Sequence, residues 1–382
     1  MAKVLTTDNI SSMLSAIRDY IDDKCEKLAN GCSVSLTGNG VTLSTSNVVY
    51  LKPAVIELEA DEGVSITTVT VVMGEDTLSS AYDDDTNSVI VSKVTDDIEI
   101  TVSTTSLLAV TLDGVSLSNR TLKIGQAWNA SFVNDTGKQL LPDSVVILMD
   151  SVDITSTAFD SSDNSISISE ITGLVEITAQ GVAVDAAYKP VNYIEVASRA
   201  SGNALNTGYK PNMDTKLVMD VELKSGNTSM LYGNHYTNSS DTPHYYFMYQ
   251  VTATSNFIIG YGEYNTGTVS TSAGRIKRDA RIKFTCDKGA FSYPNASGGT
   301  RSINYSSNGG TFEESSTTLK LFGYSGTSSN GNAAGKIYRV TISENDVVLH
   351  DFIPCVKLEG SIAGLYDIIN GTYVQADNYT AV

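Results

Sequence analysis

Hydrophobic and polar residues follow two different periods along this chain. Over residues 7–29 the apolar positions recur every three or four residues, which predicts an amphipathic helix ended by Asn30-Gly31. Beyond the helix, short runs alternate apolar and polar residues and are separated by Gly, Asp, Asn and Ser. This second pattern is typical of β-strands. Together the two patterns predict a mainly β fold class with one N-terminal helix.

The apolar positions of the helix form a seam with the a/d spacing of a short coiled coil, barely three heptads long. Lys24 occupies the one position that the seam skips. The seam residues, which are the candidate oligomerisation residues, are Ile10, Leu14, Ile17, Ile21 and Leu28. Such a helix can pack on its own chain or form an oligomerising stalk, and the pattern leaves both open. We assign residues 1–33 to an attachment and oligomerisation segment and expect a homotrimer.

The next part of the chain is a tandem repeat. The matching segments are residues 69–73 with 145–149, 87–92 with 164–169, and 98–101 with 175–178. The offset is 76 residues for the first pair and 77 for the other two, with Tyr82 answering to Phe159. Each copy has the length and turn spacing of a small immunoglobulin-like β-sandwich. We therefore place one such domain at residues 34–104 and a second at residues 105–188.

Acidic residues stand at the same place in both copies, as Asp83-Asp84-Asp85 and between Asp160 and Asp163. A calcium site needs roughly six to eight oxygen ligands in a defined loop. A hairpin turn needs only the tolerance of Asp and Asn for unusual backbone angles. The turn interpretation is favoured, so we assign no cofactor, and Ca²⁺ is an alternative that the sequence does not support.

Charge and tyrosine content divide the chain at about the same place. The 382 residues carry a net charge of -18, and residues 34–190 hold 22 acids against 6 bases. Of the 20 tyrosines, 16 lie after residue 190. An acidic chain does not neutralise phosphates, which argues against nucleic acid as a partner. No apolar run approaches the ~20 residues of a membrane span and no secretory signal opens the chain, so we expect cytoplasmic synthesis and no membrane insertion.

Residues 189–382 again alternate as β-strands, joined by long Gly-, Ser- and Asn-rich loops, and suit a two-sheet jelly roll. Tyrosines close to amides and histidines supply the aromatic faces that the C–H groups of a sugar need. Tyrosine also fills cores and protein interfaces, so the prediction concerns the region more than each residue. The candidate ligand-binding residues are Tyr232, His235, Tyr236, His244, Tyr261, Tyr264, Tyr293, Arg301 and Tyr305.

The sequence of this region contains no recognisable catalytic or metal-binding motif. No motif singles out a pair of its glutamates for glycoside hydrolysis, and His235 and His244 lack the further ligands of a zinc site. Five bases cluster between Arg275 and Lys283, where an alternating strand face is favoured over an anion-binding patch. We therefore expect a protein that is not an enzyme, with no catalytic residue and no metal.

Several stretches of the terminal region resemble a concanavalin-A-like (laminin-G-like) sandwich module. They are Tyr193-Ile194-Glu195 and residues 205–211 (LNTGYKP) at its opening, and residues 335–338 (GKIY), 350–355 (HDFIPC) and 364–371 (GLYDIING) at its end. Modules with this opening and ending recur at the ends of phage tail and fibre proteins. Residues 152–159 (VDITSTAF) similarly resemble the immunoglobulin-like spacers of phage virion and surface proteins.

The resemblance implies a phage tail-fibre or receptor-binding virion protein. Its N-terminal region would attach to other virion proteins, two spacer domains would follow, and the terminal sandwich would present a non-catalytic, lectin-like surface to host cell-surface glycan. The absence of a signal peptide fits a virion protein made in the host cytoplasm. Two alternatives stay open, namely a structural head-fibre or decoration protein of the virion and a glycan depolymerase.

Overall fold

A computed structural model describes residues 7–197, 204–225, 229–237, 243–250, 257–263, 276–304, 317–323 and 333–382. Within these residues the chain forms 34 β-strands and one helix of more than a few residues, at the N-terminus. The strands are arranged in pairs of sheets that enclose hydrophobic cores. The mainly β fold class predicted from the sequence is confirmed.

Helix α1 spans Thr7–Asn30, which confirms the predicted N-terminal helix. It ends at Gly31, whose φ of 80° lies in the left-handed region, and the Gly31 N–H still donates to Lys27 O at 2.9 Å. A Cβ atom at Gly31 would stand only 2.4 Å from Asn47 Oδ1. The helix therefore enters the first sandwich through a position that only glycine fits.

The first copy of the repeat is a two-sheet sandwich. Its strands are β1 (Cys32–Thr37), β2 (Val41–Leu43), β3 (Asn47–Val48), β4 (Ala54–Ala60), β5 (Val64–Met73), β6 (Asp76–Thr77), β7 (Tyr82–Asp83), β8 (Ser88–Val91) and β9 (Ile98–Ser106). One sheet has the order β3-β1-β9-β5-β6 and the other the order β2-β4-β8-β7. The first and last strands, β1 and β9, run parallel and lie next to each other inside the first sheet.

The second copy is built in the same way. Its strands are β10 (Leu108–Asp113), β11 (Val115–Leu117), β12 (Trp128–Asn134), β13 (Gln139–Leu140), β14 (Val146–Met149), β15 (Val152–Asp153), β16 (Phe159–Asp160), β17 (Ser165–Ile168) and β18 (Val175–Val182). A 3-10 helix (Pro142–Ser144) and the short helix α2 (Thr155–Ala158) lie between strands. The sheets have the orders β10-β18-β14-β15, with β13 beside β18, and β11-β12-β17-β16.

The two sandwiches share one topology and one register, which confirms the tandem repeat. Strand order β10-β18-β14-β15 repeats β1-β9-β5-β6, and β11-β12-β17-β16 repeats β2-β4-β8-β7. Met73 pairs with Ile98 in the first copy, and Met149 pairs with Val175 in the second. The inward residues of each copy fill a separate hydrophobic core, as alternation along strands requires.

The terminal region forms a larger two-sheet sandwich of jelly-roll type. Its strands are β19 (Tyr188–Pro190), β20 (Ile194–Val196), β21 (Leu205–Asn206), β22 (Thr215–Leu223), β23 (Ser229–Thr237), β24 (Pro243–Gln250), β25 (Phe257–Glu263), β26 (Arg281–Asp287), β27 (Ala290–Pro294), β28 (Thr300–Asn304), β29 (Lys320–Leu321), β30 (Gly335–Glu344), β31 (Val347–Lys357), β32 (Ile362–Asp367), β33 (Thr372–Gln375) and β34 (Thr380–Ala381), with a 3-10 helix at Glu359–Ser361.

The two sheets of this terminal sandwich differ in size. The larger has the order β28-β27-β26-β22-β30-β31-β32-β33, with β19 beside β31, β20 beside β30 and β34 beside β20. The smaller has the order β21-β29-β23-β24-β25. Inward residues of both sheets, such as Leu217 and Phe284 on the larger and Leu231 on the smaller, form one core.

The second and terminal sandwiches meet in a small apolar core of their own. It is formed by Leu141, Val182, Val184, Ile353, Cys355 and Tyr366. Tyr188 stacks on Tyr373 beside it, with ring centroids 4.6 Å apart. At its edge Arg281 donates from Nη1 and Nη2 to the two carboxylate oxygens of Asp143, at 2.5 and 2.7 Å. The terminal sandwich is thus docked on its neighbour through packed side chains.

Candidate functional sites: the helical seam and the terminal sandwich

The apolar seam of α1 faces solvent in the single chain. Its five residues are between 40% and 65% exposed, and every residue from 10 to 22 is exposed. An isolated helix of this length is marginal in water, and a contiguous exposed apolar stripe is typical of an interaction site. Of the two interpretations of this helix, the exposed seam favours the oligomerising stalk.

The end of α1 is fastened to the first sandwich by an ion-pair cluster. Lys27 is buried; its Nζ lies against Asp96 Oδ1 and is 3.1 Å from Asp23 Oδ1. The hydrogen bond from Lys27 holds the pKa of Asp96 below its usual range, and the pKa of Lys27 is raised by the same contact. Lys24 Nζ lies 3.2 Å from Asp23 Oδ2 and 5.9 Å from the centre of the Tyr50 ring. These contacts set the direction in which the helix leaves the sandwich.

Tyr232, Tyr261 and Tyr293 are buried, so their prediction as ligand-binding residues is corrected. Each is at most 8% exposed and belongs to the core between the two sheets. Tyr232 packs on Phe284 with ring centroids 5.7 Å apart, and Tyr261 donates its hydroxyl to Met213 O at 3.1 Å. Burial raises the pKa of Tyr232 and Tyr261 above the ordinary tyrosine value. Their rings fill the sandwich and offer no face to a sugar.

The other candidates fall on the smaller sheet, on the edge of the larger one, or outside the described residues. In the ladder between β23 and β24, His235 pairs with Tyr245 and Tyr236 pairs with His244. Arg301 is exposed on the edge strand β28, opposite Tyr293. Tyr264 and Tyr305 lie outside the described residues. The structure therefore places His235, Tyr236 and His244 within two paired strands, and Arg301 on a different sheet.

Of the basic residues between Arg275 and Lys283, Arg281 and Lys283 lie on an alternating strand face, as the sequence favoured, whereas Lys277 and Arg278 precede the strand and Arg275 lies outside the described residues. Along β26, Arg281 and Lys283 are exposed whereas Ile282 and Phe284 are buried. The Arg281 guanidinium also donates to both carboxylate oxygens of Asp220, at 2.8 and 2.7 Å, and lies 4.1 Å from the centre of the Tyr338 ring. Its charge is therefore engaged by neighbouring side chains at the junction.

A buried polar network that the sequence did not single out lies at the end of the larger sheet. Asp367 is fully buried; its Oδ2 accepts from Asn370 Nδ2 at 2.7 Å and lies 2.7 Å from His350 Nδ1. Its Oδ1 accepts from the backbone N–H groups of Asp351 and Ile369, both at 3.1 Å. Burial opposes ionisation of Asp367, but these hydrogen bonds outweigh it and hold its pKa below the usual range. The network ties β31 to the turn that follows β32.

The only sequence signal for this network is that its members come from residues 350–355 and 364–371. These are two of the stretches on which the resemblance rests, and the contacts give a physical reason for their polar residues. A buried carboxylate stays ionised where hydrogen bonds replace the water it loses, and His350, Asn370 and the two backbone N–H groups supply these contacts to Asp367. The network is accordingly a structural feature of the sandwich.

The acidic loops of the repeat form the turns predicted for them. The Asp85 N–H donates to Asp83 Oδ1 at 3.1 Å, and the Ser162 N–H donates to Asp160 Oδ1 at 2.8 Å. Asp83, Asp84 and Asp85 also bring their carboxylate oxygens within 4.8 Å of one another. Hydrogen bonds from a side chain to the backbone two residues on are the reason Asp is favoured in turns, and they account for Asp83 and Asp160 at these positions.

Comparison with known proteins leaves the resemblance without independent support. No protein-family model, no curated protein and no solved structure matches this chain. Among the described residues no helix has both the length and the apolar character needed to cross a membrane.

Proposed function

We propose that this chain is a phage virion fibre or adhesin protein that assembles through α1 and presents the terminal sandwich to host cell-surface glycan without cleaving it. The observation that supports this most is the exposed apolar seam of a helix fastened to the rest of the chain only by its last turns, among the described residues. Such a seam needs partners, and other copies of the helix or other virion proteins supply them.

The composition of the seam favours a trimer over a dimer. With Leu14, Ile21 and Leu28 at a positions, Ile10 and Ile17 occupy d positions. Leucine at a with isoleucine at d shifts parallel coiled coils toward trimers or tetramers, whereas dimers prefer leucine at d. Of these two states we propose the homotrimer, whose short helical stalk carries the two spacer sandwiches and the terminal one.

Ion pairs, backbone hydrogen bonds and packed cores link each part of the chain to the next. Lys27 joins the helix to the first sandwich, and the Gly63 N–H donates to Arg120 O at 2.9 Å between the first and second. The apolar cluster around Tyr366 joins the second to the terminal sandwich. A fibre that holds a binding domain away from its attachment point requires junctions of this kind.

The binding surface in this proposal lies on the terminal sandwich and excludes the three buried tyrosines. A glycan array and a reducing-sugar assay with the full chain test it. Binding without release of reducing ends is expected. Release of reducing ends would contradict the proposal of a non-catalytic protein and favour a depolymerase. Neither binding nor cleavage would favour a structural head-fibre or decoration protein.

The stalk is tested separately by solution mass. Ile17→Asp places a carboxylate in the centre of the seam and is expected to give a monomer, because burying three unpaired charges in one layer is costly. Ala16→Asp adds the same charge to an exposed position outside the seam and is expected to keep the trimer. A trimer that survives Ile17→Asp would refute the stalk.

A further inference from the structure

The junction between the second and the terminal sandwich contains a cavity of about 230 Å³, which we call the junction cavity. This volume is below the roughly 300–1,000 Å³ of pockets for drug-sized ligands, so the cavity admits a smaller molecule. The second sandwich contributes three side-chain amides, and the terminal sandwich contributes a lysine and two apolar residues. These six are Asn134, Gln139 and Asn164, and Lys189, Pro190 and Leu358.

The junction cavity is basic, although the chain has 43 acids against 25 bases. None of the residues that line it is acidic. Lys189 is half-buried; its Nζ donates to Ser162 O at 2.8 Å and forms no ion pair with a carboxylate among the described residues. Asp135, Asp163 and Glu359 adjoin lining residues in the chain but are exposed, so solvent screens their charge. An ammonium group has three donors, and two of them remain for an anion.

The corresponding junction of the repeat, between the first and second sandwiches, is lined by acids. Its cleft of about 570 Å³ contains Asp84 and Asp85 of the first sandwich, and Lys123 of the second. Both junctions also contain the asparagine that ends the acidic loop of the preceding copy, Asn87 in one and Asn164 in the other. The two cavities therefore lie at the same place in the repeat but differ in charge.

The loops beside the two cavities show how this difference arises. The loop between β7 and β8 and the loop between β16 and β17 each have four residues, so their positions correspond one to one. Ser161 and Ser162 stand where the first copy has Asp84 and Asp85. Ser162 is also the residue whose carbonyl oxygen accepts from Lys189. The second copy thus lacks both acids at the loop that the lysine contacts.

Two of the amides are oriented by the backbone. Asn134 Oδ1 accepts from the Leu140 N–H at 2.8 Å, which leaves the NH₂ group of Asn134 to donate. Gln139 Nε2 donates to Tyr188 O at 2.9 Å, which leaves Gln139 Oε1 to accept. The wall of the junction cavity thus offers both a hydrogen-bond donor and an acceptor beside the lysine.

The third amide, that of Asn164, lacks the contact that holds its counterpart. In the first copy Asn87 Oδ1 accepts from the Tyr82 hydroxyl at 3.0 Å. Phe159 stands in place of Tyr82 and has no hydroxyl, and Asn164 Oδ1 is buried without a partner among the described residues. A buried acceptor that lacks a donor is costly. If the amide turns toward the junction cavity, a hydroxyl of a bound molecule supplies the missing donor.

A molecule that fits these groups carries an anionic group for Lys189 and hydroxyls for the amides. Its apolar C–H groups would lie against Pro190 and Leu358, and the exposed rim residue Leu358 keeps the junction cavity open to solvent. A sugar acid combines all three features within the available volume. We propose that the junction cavity binds the carboxylate and neighbouring hydroxyls of one uronic acid residue. This rests on the proposed glycan-binding function and names an acidic sugar as the unit recognised.

The test titrates the full chain with sodium glucuronate, followed by saturation-transfer difference NMR. At the efficiency of ordinary small ligands, glucuronate is expected to bind with a dissociation constant of about 1 mM. Glucose has a neutral CH₂OH group in place of the carboxylate, and acetate has a carboxylate without the hydroxyls. Both are expected to bind at least about tenfold more weakly than glucuronate.

Two variants locate the binding in the junction cavity. Lys189→Met removes the ammonium group and keeps the length of the side chain, and is expected to weaken glucuronate binding at least about tenfold. Ser162→Asp restores the acid that the first copy carries at this position, and is expected to weaken binding as much because the new carboxylate pairs with Lys189. Lys123→Met, in the acid-lined cleft, is the matched control and is expected to leave binding unchanged. Trp128 fluorescence checks that the second sandwich of each variant is folded.

The inference would be overturned by the absence of saturable glucuronate binding, or by binding that both Lys189→Met and Ser162→Asp leave unchanged. Acetate that binds as tightly as glucuronate would also overturn it, since the hydroxyls would then contribute nothing. A glycan array with the full chain judges the proposed function separately. Array binding without glucuronate binding would refute the junction cavity alone. Glucuronate binding that Lys189→Met abolishes, with no glycan bound on the array, would support the cavity and contradict the proposed function.

Discussion

Replacing Asp143 by alanine is expected to loosen the terminal sandwich from the second one. Asp143 lies on the 3-10 helix of the second sandwich, and both its carboxylate oxygens accept from Arg281 of the terminal sandwich, at 2.5 and 2.7 Å. Bidentate, charge-assisted hydrogen bonds of this kind are among the stronger polar contacts in proteins. The change leaves the cores of both sandwiches and the apolar cluster between them in place and removes only this ion pair.

The size of the effect follows from exposure. The side chains of Arg281 and Asp143 are 41% and 24% exposed, so solvent screens much of their attraction. Exposed ion pairs contribute less to stability than buried hydrogen bonds to charged groups, and this pair lies between the two. We expect Asp143→Ala to lower the free energy of unfolding by about 1 kcal/mol. Removing Arg281 should cost about 2–3 kcal/mol, because Asp143 and Asp220 then lose a shared guanidinium and the stacking on Tyr338 is lost too.

The single tryptophan gives a clean assay. Trp128 is buried in the core of the second sandwich, so its fluorescence reports unfolding of that sandwich alone, while 16 of the 20 tyrosines lie after residue 190 and report on the terminal one by near-ultraviolet circular dichroism. If the two sandwiches unfold as one unit, both signals change together, and Asp143→Ala lowers the shared midpoint by about 2–4 °C. Asp113→Ala, an exposed acid of the second sandwich, is the matched control.

Two results would refute this reasoning. The first is separate tryptophan and tyrosine transitions in the unaltered protein, which would mean that the junction does not couple the sandwiches. The second is a double-mutant cycle between Asp143→Ala and Arg281→Met with no coupling energy. Added salt should shrink a genuine coupling, since part of it is screened.

Three further predictions concern single side chains. Asp367→Asn sets an amide NH₂ against the donor of Asn370 and is expected to destabilise the terminal sandwich by about 2–4 kcal/mol in urea unfolding. In the unaltered protein the pKa of Asp367 is 3.8 in the unfolded chain and lower in the folded one, so the free energy of unfolding should fall as the pH drops below 3.8. If Asp367→Asn leaves the pH dependence of the free energy of unfolding unchanged in this range, the prediction is wrong. Lys27→Met should speed amide hydrogen exchange in the last turn of α1, and equal rates would show that the ion pairs do not fasten the helix. Tyr293→Ala should cost about 3–5 kcal/mol, whereas Tyr293→Phe should leave any glycan binding unchanged; a loss of binding at unchanged stability would restore Tyr293 as a ligand contact.

Local patterns were enough to predict the helix and the repeat. The seam of α1 repeats every three to four residues, and the end at Gly31 follows from glycine's conformational freedom. The pairing of Met73 with Ile98 recurs as that of Met149 with Val175, because alternation and turn spacing determine which residues face each other in a small sandwich.

The tyrosines and the junction depend on long-range contacts, which no local pattern contains. Alternation along a strand does not say which of its faces meets the second sheet, so the sequence predicts Tyr232 and Tyr293 as ligand-binding residues although both fill the core. Arg281 and Asp143 are 138 residues apart in the chain. Their contact arises only when the outer face of the larger sheet docks on the second sandwich.

The repeat itself separates residues that serve the fold from residues that do not. Inward positions keep their apolar character in both copies, as Val71 and Ile147 do in their respective cores. Outward positions are free to differ, also between apolar and polar residues: Val133 is exposed where the first copy has Glu59, and Val152 where it has Asp76. Leu51 departs from this freedom at a cost, since a glycine at the same turn in the second copy folds without strain.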